Sequence, residues 1–168
     1  KLDEEDFSST LADDMQNRIM VLSRLHDTLA NSDMDSSINL TEKIKHIVDE
    51  IISGARLNVE VNVYGPHICV DEDVMVPVSM IINELVSNSL KYAFNDVETP
   101  RITSECKRDD KEISISYRDN GNSLNSDEKT RGGLGSMIIE GLAHQLSAET
   151  YKSCDDGFHF VLRIPTAS

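Results

Sequence analysis

The chain has 168 residues, of which 39% are hydrophobic, and its formal net charge is -14 at pH 7. This length suits one domain with a sizeable core and a short appendage. With 30 acidic and 16 basic residues, the chain lacks the clustered Lys and Arg that general nucleic-acid binding requires. No apolar run reaches the ~20 residues of a membrane-spanning helix, and the acidic N-terminus does not resemble a secretory signal. We therefore expect a cytoplasmic protein without membrane contact.

A first helix is predicted over residues 7–30. Its apolar residues are spaced by multiples of seven: Leu11 and Leu25, and Met15, Leu22 and Leu29. Such a seam is typical of a helix that packs against partner helices. Turn-forming residues follow, so we expect residues 1–36 to form a helical appendage and residues 37–168 to form the main domain.

Helices and strands alternate along the main domain. Helices are predicted over 39–53, from about Asp73 to Phe94, and from about Leu134 to Leu146. Strands are predicted over 57–65, 67–71, 101–108, 111–119, 148–153 and 158–165, and the last four form two hairpins. The strand over 67–71 is expected to pair with its predecessor across Gly65-Pro66, and Pro77 is expected in the first turn of its helix. This order predicts an α+β fold, a two-layer sandwich with helices on one face of a mixed sheet.

The segment "INELVSNSLKYAF", residues 82–94, carries polar side chains within an apolar helix. Glu84, Asn88 and Lys91 are three or four residues apart, so they are expected on one face. The carbonyl oxygen of Asn88 suits Mg²⁺. Glu84 can orient or deprotonate a water or hydroxyl, and Lys91 can meet a phosphate as a point charge. A solvated helix face is the simpler interpretation of each residue taken alone.

Two later segments place glycines beside polar groups. Asp119 begins "DNG" at a strand end, where a carboxylate can accept a hydrogen bond from an amine such as that of adenine. Gly121 allows close approach to a flat ring. Gly132, Gly133 and Gly135 precede a helix, where free backbone amides can hold an anion. An ordinary Asn-Gly turn and a flexible linker are the simpler interpretations.

In this order, "NELVSNSLKYAF", "DNG" and "RGGLG" resemble the N box and the two glycine boxes of one ATP-binding domain. Gyrase, heat-shock chaperones, histidine kinases and mismatch-repair proteins share that domain, whose fold is of the Bergerat type. The resemblance covers about residues 39–165. The phrases "NELVSNSLKYAF" and "GGLGSMIIEGLAHQL" look like those of sensor histidine kinases related to the HWE subclass. Residues 17–51 are similar to the end of that subclass's dimerisation and phosphotransfer module, so residues 1–36 are expected to contain its second helix.

The resemblance implies a role for each candidate residue. Asn88 would coordinate Mg²⁺ bound to ATP, Glu84 would position the attacking group, and Lys91 would contact phosphate. Asp119 would read the adenine amino group, with Gly121 packed near the ring. A mobile lid that cradles the phosphates would contain three glycines: Gly132, Gly133 and Gly135.

The implied reaction is transfer of the γ-phosphoryl group of ATP to a histidine, for relay to a response-regulator receiver domain. The resemblance also implies a homodimer formed through the helical module. The accepting histidine would lie upstream of this sequence. His26 is the alternative acceptor, because "LHDTL" resembles the His-acidic pair of other kinases' acceptor helices, although it also matches a non-acceptor position of the second helix.

Ser123 stands where the first glycine box usually has a second glycine. This departure favours an alternative, a phosphotransfer adaptor of the same fold that does not bind ATP. A further alternative is an anti-sigma-factor serine kinase, which has the same fold but does not need the helix over 7–30.

Overall fold

The computed structural model describes residues 38–122 and 133–166, together with seven helical residues within 12–23. Contacts divide the chain into two units, Lys1–Ser36 and Ser37–Ser168. The assignment of the first unit to a dimerisation and phosphotransfer module stays a prediction.

In the first unit, the described residues include three large apolar side chains that are exposed: Met15, Ile19 and Met20. Met15 belongs to the predicted heptad seam. Its other members lie outside the described residues: Leu11, Leu22, Leu25 and Leu29. The packing of the seam therefore also stays a prediction.

The described part of the second unit contains three α-helices and seven strands. The helices are α1 (Leu40–Ser53), α2 (Glu72–Asn88) and α3 (Leu134–Gln145), and a π-helical turn, Ser89–Ala93, directly follows α2. The strands are β1 (Ile38–Asn39), β2 (Glu60–Tyr64), β3 (Cys69–Val70), β4 (Arg101–Arg108), β5 (Glu112–Asp119), β6 (Glu149–Ser153) and β7 (His159–Pro165).

Five strands form one mixed sheet in the order β2-β4-β5-β7-β6. β2 is parallel to β4, whereas the other neighbouring pairs are antiparallel, which confirms both predicted hairpins. Side chains alternate along the central strands, and Ile115 and Tyr117 of β5 point into the core with Phe160 of β7. The apolar stripe of α1 supplies Leu40 and Ile44 to the same core. The predicted α+β sandwich, a mixed sheet packed against helices, is confirmed.

The predicted pairing of the strand over 67–71 with its predecessor is wrong. β3 pairs antiparallel with β1, and β2 lies beside β4 instead. Gly65 has a φ of +147°, and a Cβ there would collide with the Cys106 carbonyl group. The Thr41 hydroxyl donates to the Pro66 carbonyl oxygen at 2.7 Å. The turn is therefore fixed to β4 and to the start of α1, which prevents a tight hairpin.

The position of Pro77 also differs from the prediction. Because α2 begins at Glu72, Pro77 lies in its second turn rather than its first. A proline there removes one hydrogen bond, the one to the carbonyl group of Asp73. Pro77 is buried, so its ring contributes to the core while the backbone loses a single bond near the helix start.

No helix among the described residues is long and apolar enough to cross a membrane.

Candidate functional site

The last turns of α2 carry two of the predicted site residues. Glu84 is 5% exposed, and Asn88, the last residue of α2, is half-buried. They are four residues apart within one α-helix, so they share a face. A buried carboxylate is costly unless it is paired or hydrogen-bonded, which makes Glu84 an unusual choice for packing alone.

Lys91, the third residue of the predicted helix face, lies in the π-helical turn and is exposed. In a π-helical turn the backbone hydrogen bonds span five residues instead of four. The residues within and after the turn are therefore displaced relative to α-helical spacing. Lys91 therefore does not follow Glu84 and Asn88 in α-helical register. Such turns are rare and occur frequently at functional sites.

Asp119 ends β5 and is 2% exposed. Its Oδ1 accepts hydrogen bonds from the backbone N–H groups of Gly121 at 3.0 Å and Phe158 at 3.1 Å. Its Oδ2 accepts a bond of 2.6 Å from the Ser89 hydroxyl. The carboxylate thus connects the π-helical turn, the "DNG" loop and the start of β7.

Ser89 and Tyr117 were not among the predicted site residues. The Tyr117 hydroxyl lies 2.8 Å from the Ser89 oxygen, and both side chains are buried. Burial raises the pKa of Tyr117, so this group remains a protonated hydroxyl at neutral pH. A serine beside Asn88 was visible in the sequence, but its contact with Asp119 joins residues 30 positions apart.

The rest of the "DNG" loop is attached to its neighbours by hydrogen bonds. Asn120 accepts from the Arg101 backbone N–H at 2.7 Å and donates to the Thr99 carbonyl oxygen at 2.8 Å. The Asn122 N–H donates to the Ala93 carbonyl oxygen at 2.9 Å. The loop is therefore held between the π-helical turn and the start of β4.

Gly121 is required by packing at this place. A Cβ built on Gly121 would collide with the Ala93 Cβ and would lie 2.6 Å from its carbonyl oxygen. Only glycine allows the two backbones to approach this closely. The structure thus gives the glycine a role within the protein, in addition to the ring contact that the sequence predicts.

The turn between β6 and β7 supports Asp119 from the other side. Asp156 and Gly157 both have positive φ, and a Cβ on Gly157 would collide with the Asp119 carbonyl oxygen. This turn delivers the Phe158 N–H to the Asp119 carboxylate. The last hairpin therefore positions the candidate residue, which the sequence did not indicate.

The second glycine segment is different in character. Gly133 immediately precedes α3 and is exposed, and apart from its neighbours in the chain no described residue has an atom within 4 Å of a Cβ built on it. Gly135 is the second residue of α3, whose N-terminal amides can attract an anion. Leu134 and Met137 of the same first turn are 46% and 64% exposed. No packing contact within the described residues explains the glycine at 133.

The structure thus joins Ser89, the neighbour of Asn88, directly to Asp119, and α3 packs against α2. Of the residues to which the sequence analysis gave a possible role in nucleotide binding or phosphotransfer, three lie outside the described residues: His26, Ser123 and Gly132. Within the described residues, no group of three or more His, Cys, Asp or Glu can hold a metal ion. A Mg²⁺ ion suits this site only if most of its ligands are phosphate oxygens and waters, which is its usual coordination beside nucleotides.

No protein-family profile matches the sequence, and no curated protein matches it. Solved structures do match its fold. The histidine kinase domain of the blue-light activated histidine kinase of Erythrobacter litoralis has a TM-score of 0.75 at 21% identity, over 89% of this chain and 73% of that one. A longer structure of that kinase is matched over 54% of its length.

Two further structures match at lower identity. The ATP binding domain of PrrB from Mycobacterium tuberculosis has a TM-score of 0.63 at 15% identity, over 81% of this chain and all 100% of that one. The Acinetobacter baumannii histidine kinase AdeS has a TM-score of 0.62 at 13% identity, over 99% of this chain and 82% of that one. The chain therefore has the fold of the ATP-binding catalytic domains of histidine kinases.

Proposed function

We propose that this chain binds Mg-ATP as the catalytic region of a cytoplasmic sensor histidine kinase related to the HWE subclass. One observation carries the proposal: a buried carboxylate, Asp119, is held by three donors next to the helix end that bears Asn88. A carboxylate fixed as an acceptor suits the exocyclic amine of adenine and opposes the carbonyl of guanine.

In this proposal, Asn88 contributes an oxygen ligand to Mg²⁺, and Glu84 on the same face positions the group that receives phosphate. Lys91, Gly133 and Gly135 meet the phosphates, together with Gly132. Two positive charges of Mg²⁺ also offset the acidic character of a chain whose net charge is -14. When bound, Mg-ATP supplies an activated γ-phosphoryl group, and the protein contributes orientation and charge stabilisation.

The acceptor in this proposal is a histidine on the first helix of the dimerisation and phosphotransfer module, with relay to a response-regulator receiver domain. Residues 1–36 provide the second helix and contribute to a homodimer. The exposed apolar side chains of Met15 and Ile19, four residues apart on a helix, support a partner on this side.

Calorimetric titration of ATP, with and without Mg²⁺, tests nucleotide binding. We expect binding that depends on Mg²⁺, loss of the Mg²⁺ dependence in Asn88→Ala, and loss of most affinity in Asp119→Asn. Asp49→Asn is the matched control, because it makes the same isosteric change at an exposed position of α1. No heat from the unmodified chain under any condition would favour the adaptor that does not bind ATP.

Incubation with ATP that carries a radioactive γ-phosphate tests the location of the accepting histidine. We expect no acid-labile label on this chain after incubation with Mg-ATP, because the proposed acceptor lies upstream. Acid-labile label that disappears in His26→Ala would instead assign the acceptor to His26. Acid-stable label on an added protein substrate would favour the serine kinase alternative.

A further inference from the structure

We propose that Ser89 and Tyr117 are positioning residues that determine which purine base the Asp119 carboxylate recognises. The inference rests on the proposed nucleotide site and concerns its base specificity. Neither residue is expected to touch the nucleotide. Both are argued to act through the geometry of the Asp119 carboxylate.

The Asp119 carboxylate has one more acceptor position than the described residues fill. An ionised carboxylate has about four lone-pair positions. Two on Oδ1 are occupied by the backbone N–H groups of Gly121 and Phe158, and one on Oδ2 by the Ser89 hydroxyl. Within the described residues, one position on Oδ2 has no donor. Because the side chain is 2% exposed, that position favours a single N–H donor on a closely fitting ligand.

The hydrogen bonds around Ser89 have a definite direction. The Ser89 hydroxyl has one hydrogen, and the contact of 2.6 Å to Oδ2 is the shorter of its two contacts, as expected for donation to a charged acceptor. Ser89 therefore accepts from the Tyr117 hydroxyl at 2.8 Å, while the Leu85 carbonyl oxygen lies farther from Tyr117, at 3.4 Å. The result is a series of two hydrogen bonds, in which Tyr117 donates to Ser89 and Ser89 donates to Asp119.

These two hydrogen bonds affect the choice between adenine and a base with a carbonyl group. The Ser89 hydroxyl occupies one acceptor position of Oδ2, so a water cannot donate to Oδ2 at that position. A ligand with a carbonyl at the same ring position, such as hypoxanthine or guanine, would place an acceptor against an acceptor, and a water at the position of the Ser89 hydroxyl could not bridge the two. Removal of the Ser89 hydroxyl frees this acceptor position for a water. It should therefore weaken adenine binding and reduce the loss of affinity that a carbonyl causes.

The test compares ATP with ITP, which carries a carbonyl in place of the adenine amine, by calorimetric titration in excess Mg²⁺. For Ser89→Ala we expect the ratio of ATP to ITP affinity to fall about tenfold, which corresponds to one hydrogen bond to a charged group. For Tyr117→Phe, which keeps the bond from Ser89 to Asp119, we expect a fall of about threefold in the same ratio. GTP should follow ITP, since it shares the carbonyl.

Ser79→Ala is the matched control. Ser79 is a buried serine of α2, and its hydroxyl donates to the Met75 carbonyl oxygen at 2.7 Å rather than to Asp119. It should leave the ATP to ITP ratio unchanged. Thermal unfolding of each variant separates a lost site from a lost fold, and Tyr117→Phe supplies the readout if Ser89→Ala does not fold.

The outcomes separate this inference from the proposed function. If the unmodified chain binds neither ATP nor ITP, the nucleotide site itself is wrong. If the chain selects ATP and both variants keep that ratio, the site stands and the positioning role of Ser89 and Tyr117 is overturned.

Discussion

The two glycine segments of the candidate site differ in what explains them. Around residues 119–122, packing explains the glycine, because a side chain on Gly121 would collide with Ala93. Hydrogen bonds also fix Asp119 and Asn120 to three neighbouring segments. At the start of α3, no described atom limits the residue at 133, and two large apolar side chains of the first turn are exposed.

This difference separates preorganisation from ligand contact. A carboxylate that is already held needs little rearrangement to bind a base. Most of the free-energy cost of ordering this side chain is therefore met during folding. For Gly133, which no packing contact among the described residues requires, the proposed use is contact of its backbone with phosphate. The glycine of the first segment should therefore govern mainly stability, and the glycine at 133 should also govern phosphate binding.

The largest expected effect is on stability. We expect Gly121→Ala to lower the free energy of unfolding by about 2–3 kcal/mol, because the added methyl group must displace backbone atoms of Ala93. Urea denaturation followed by circular dichroism measures this. Gly133→Ala is the control and should lower stability by less, about 0.5–1 kcal/mol, because alanine is a poorer N-cap of α3 than glycine. Equal losses in the two variants would remove the contrast between the segments.

A smaller loss of stability is expected at the buried hydroxyl of Tyr117. Tyr117→Phe removes a donor from the Ser89 oxygen, and we expect the free energy of unfolding to fall by about 1 kcal/mol. The same denaturation experiment detects this change. An unchanged midpoint would mean that the bond between Tyr117 and Ser89 contributes nothing to the folded state.

Gly133→Ala should also weaken nucleotide binding. We expect its affinity for ATP in excess Mg²⁺ to fall about threefold, equivalent to about 0.6 kcal/mol, because a side chain obstructs the approach of phosphate to the backbone. Titration of AMP, which lacks the β- and γ-phosphates, should show a smaller change. A threefold loss for AMP as well would mean that the residue acts on the base or on the fold.

The smallest effect concerns pH, at a hairpin outside both segments. The backbone N–H groups of Lys111 and Glu112 lower the pKa of Asp109. Since its pKa is lower in the folded state than in the unfolded state, its contribution is present above roughly pH 4 and is lost as pH falls through the folded value. Asp109→Asn should lack this part of the acid dependence, measured by urea denaturation between pH 3 and pH 6. Parallel curves would contradict this.

Local patterns were sufficient to predict much of the fold. The stripe containing Leu40 and Ile44 predicted α1, and alternation along residues 101–119 predicted the β4–β5 hairpin, since both depend on spacing alone. The partner of β3 was not predictable, because it depends on contacts between residues such as Ile38 and Val70 that are distant in sequence. The position of Pro77 was missed because burial of its ring compensates for a lost backbone bond.

For the candidate site, the sequence predicted which residue types matter but not how they are held. Asp119 and Asn88 were proposed from motifs, and their roles in binding stay predictions. The bond from Ser89 to Asp119 brings together residues from the π-helical turn and the end of β5, and no local pattern encodes it. The π-helical turn also changes the α-helical spacing from which Lys91 was placed beside Glu84.

The most direct test of the central claim is calorimetric titration of the unmodified chain with ATP in excess Mg²⁺, repeated with ITP. We expect saturable binding of ATP at a single site and weaker binding of ITP by tenfold or more, because Asp119 is fixed as an acceptor. Equal affinities for the two nucleotides, or no binding of either, would contradict it.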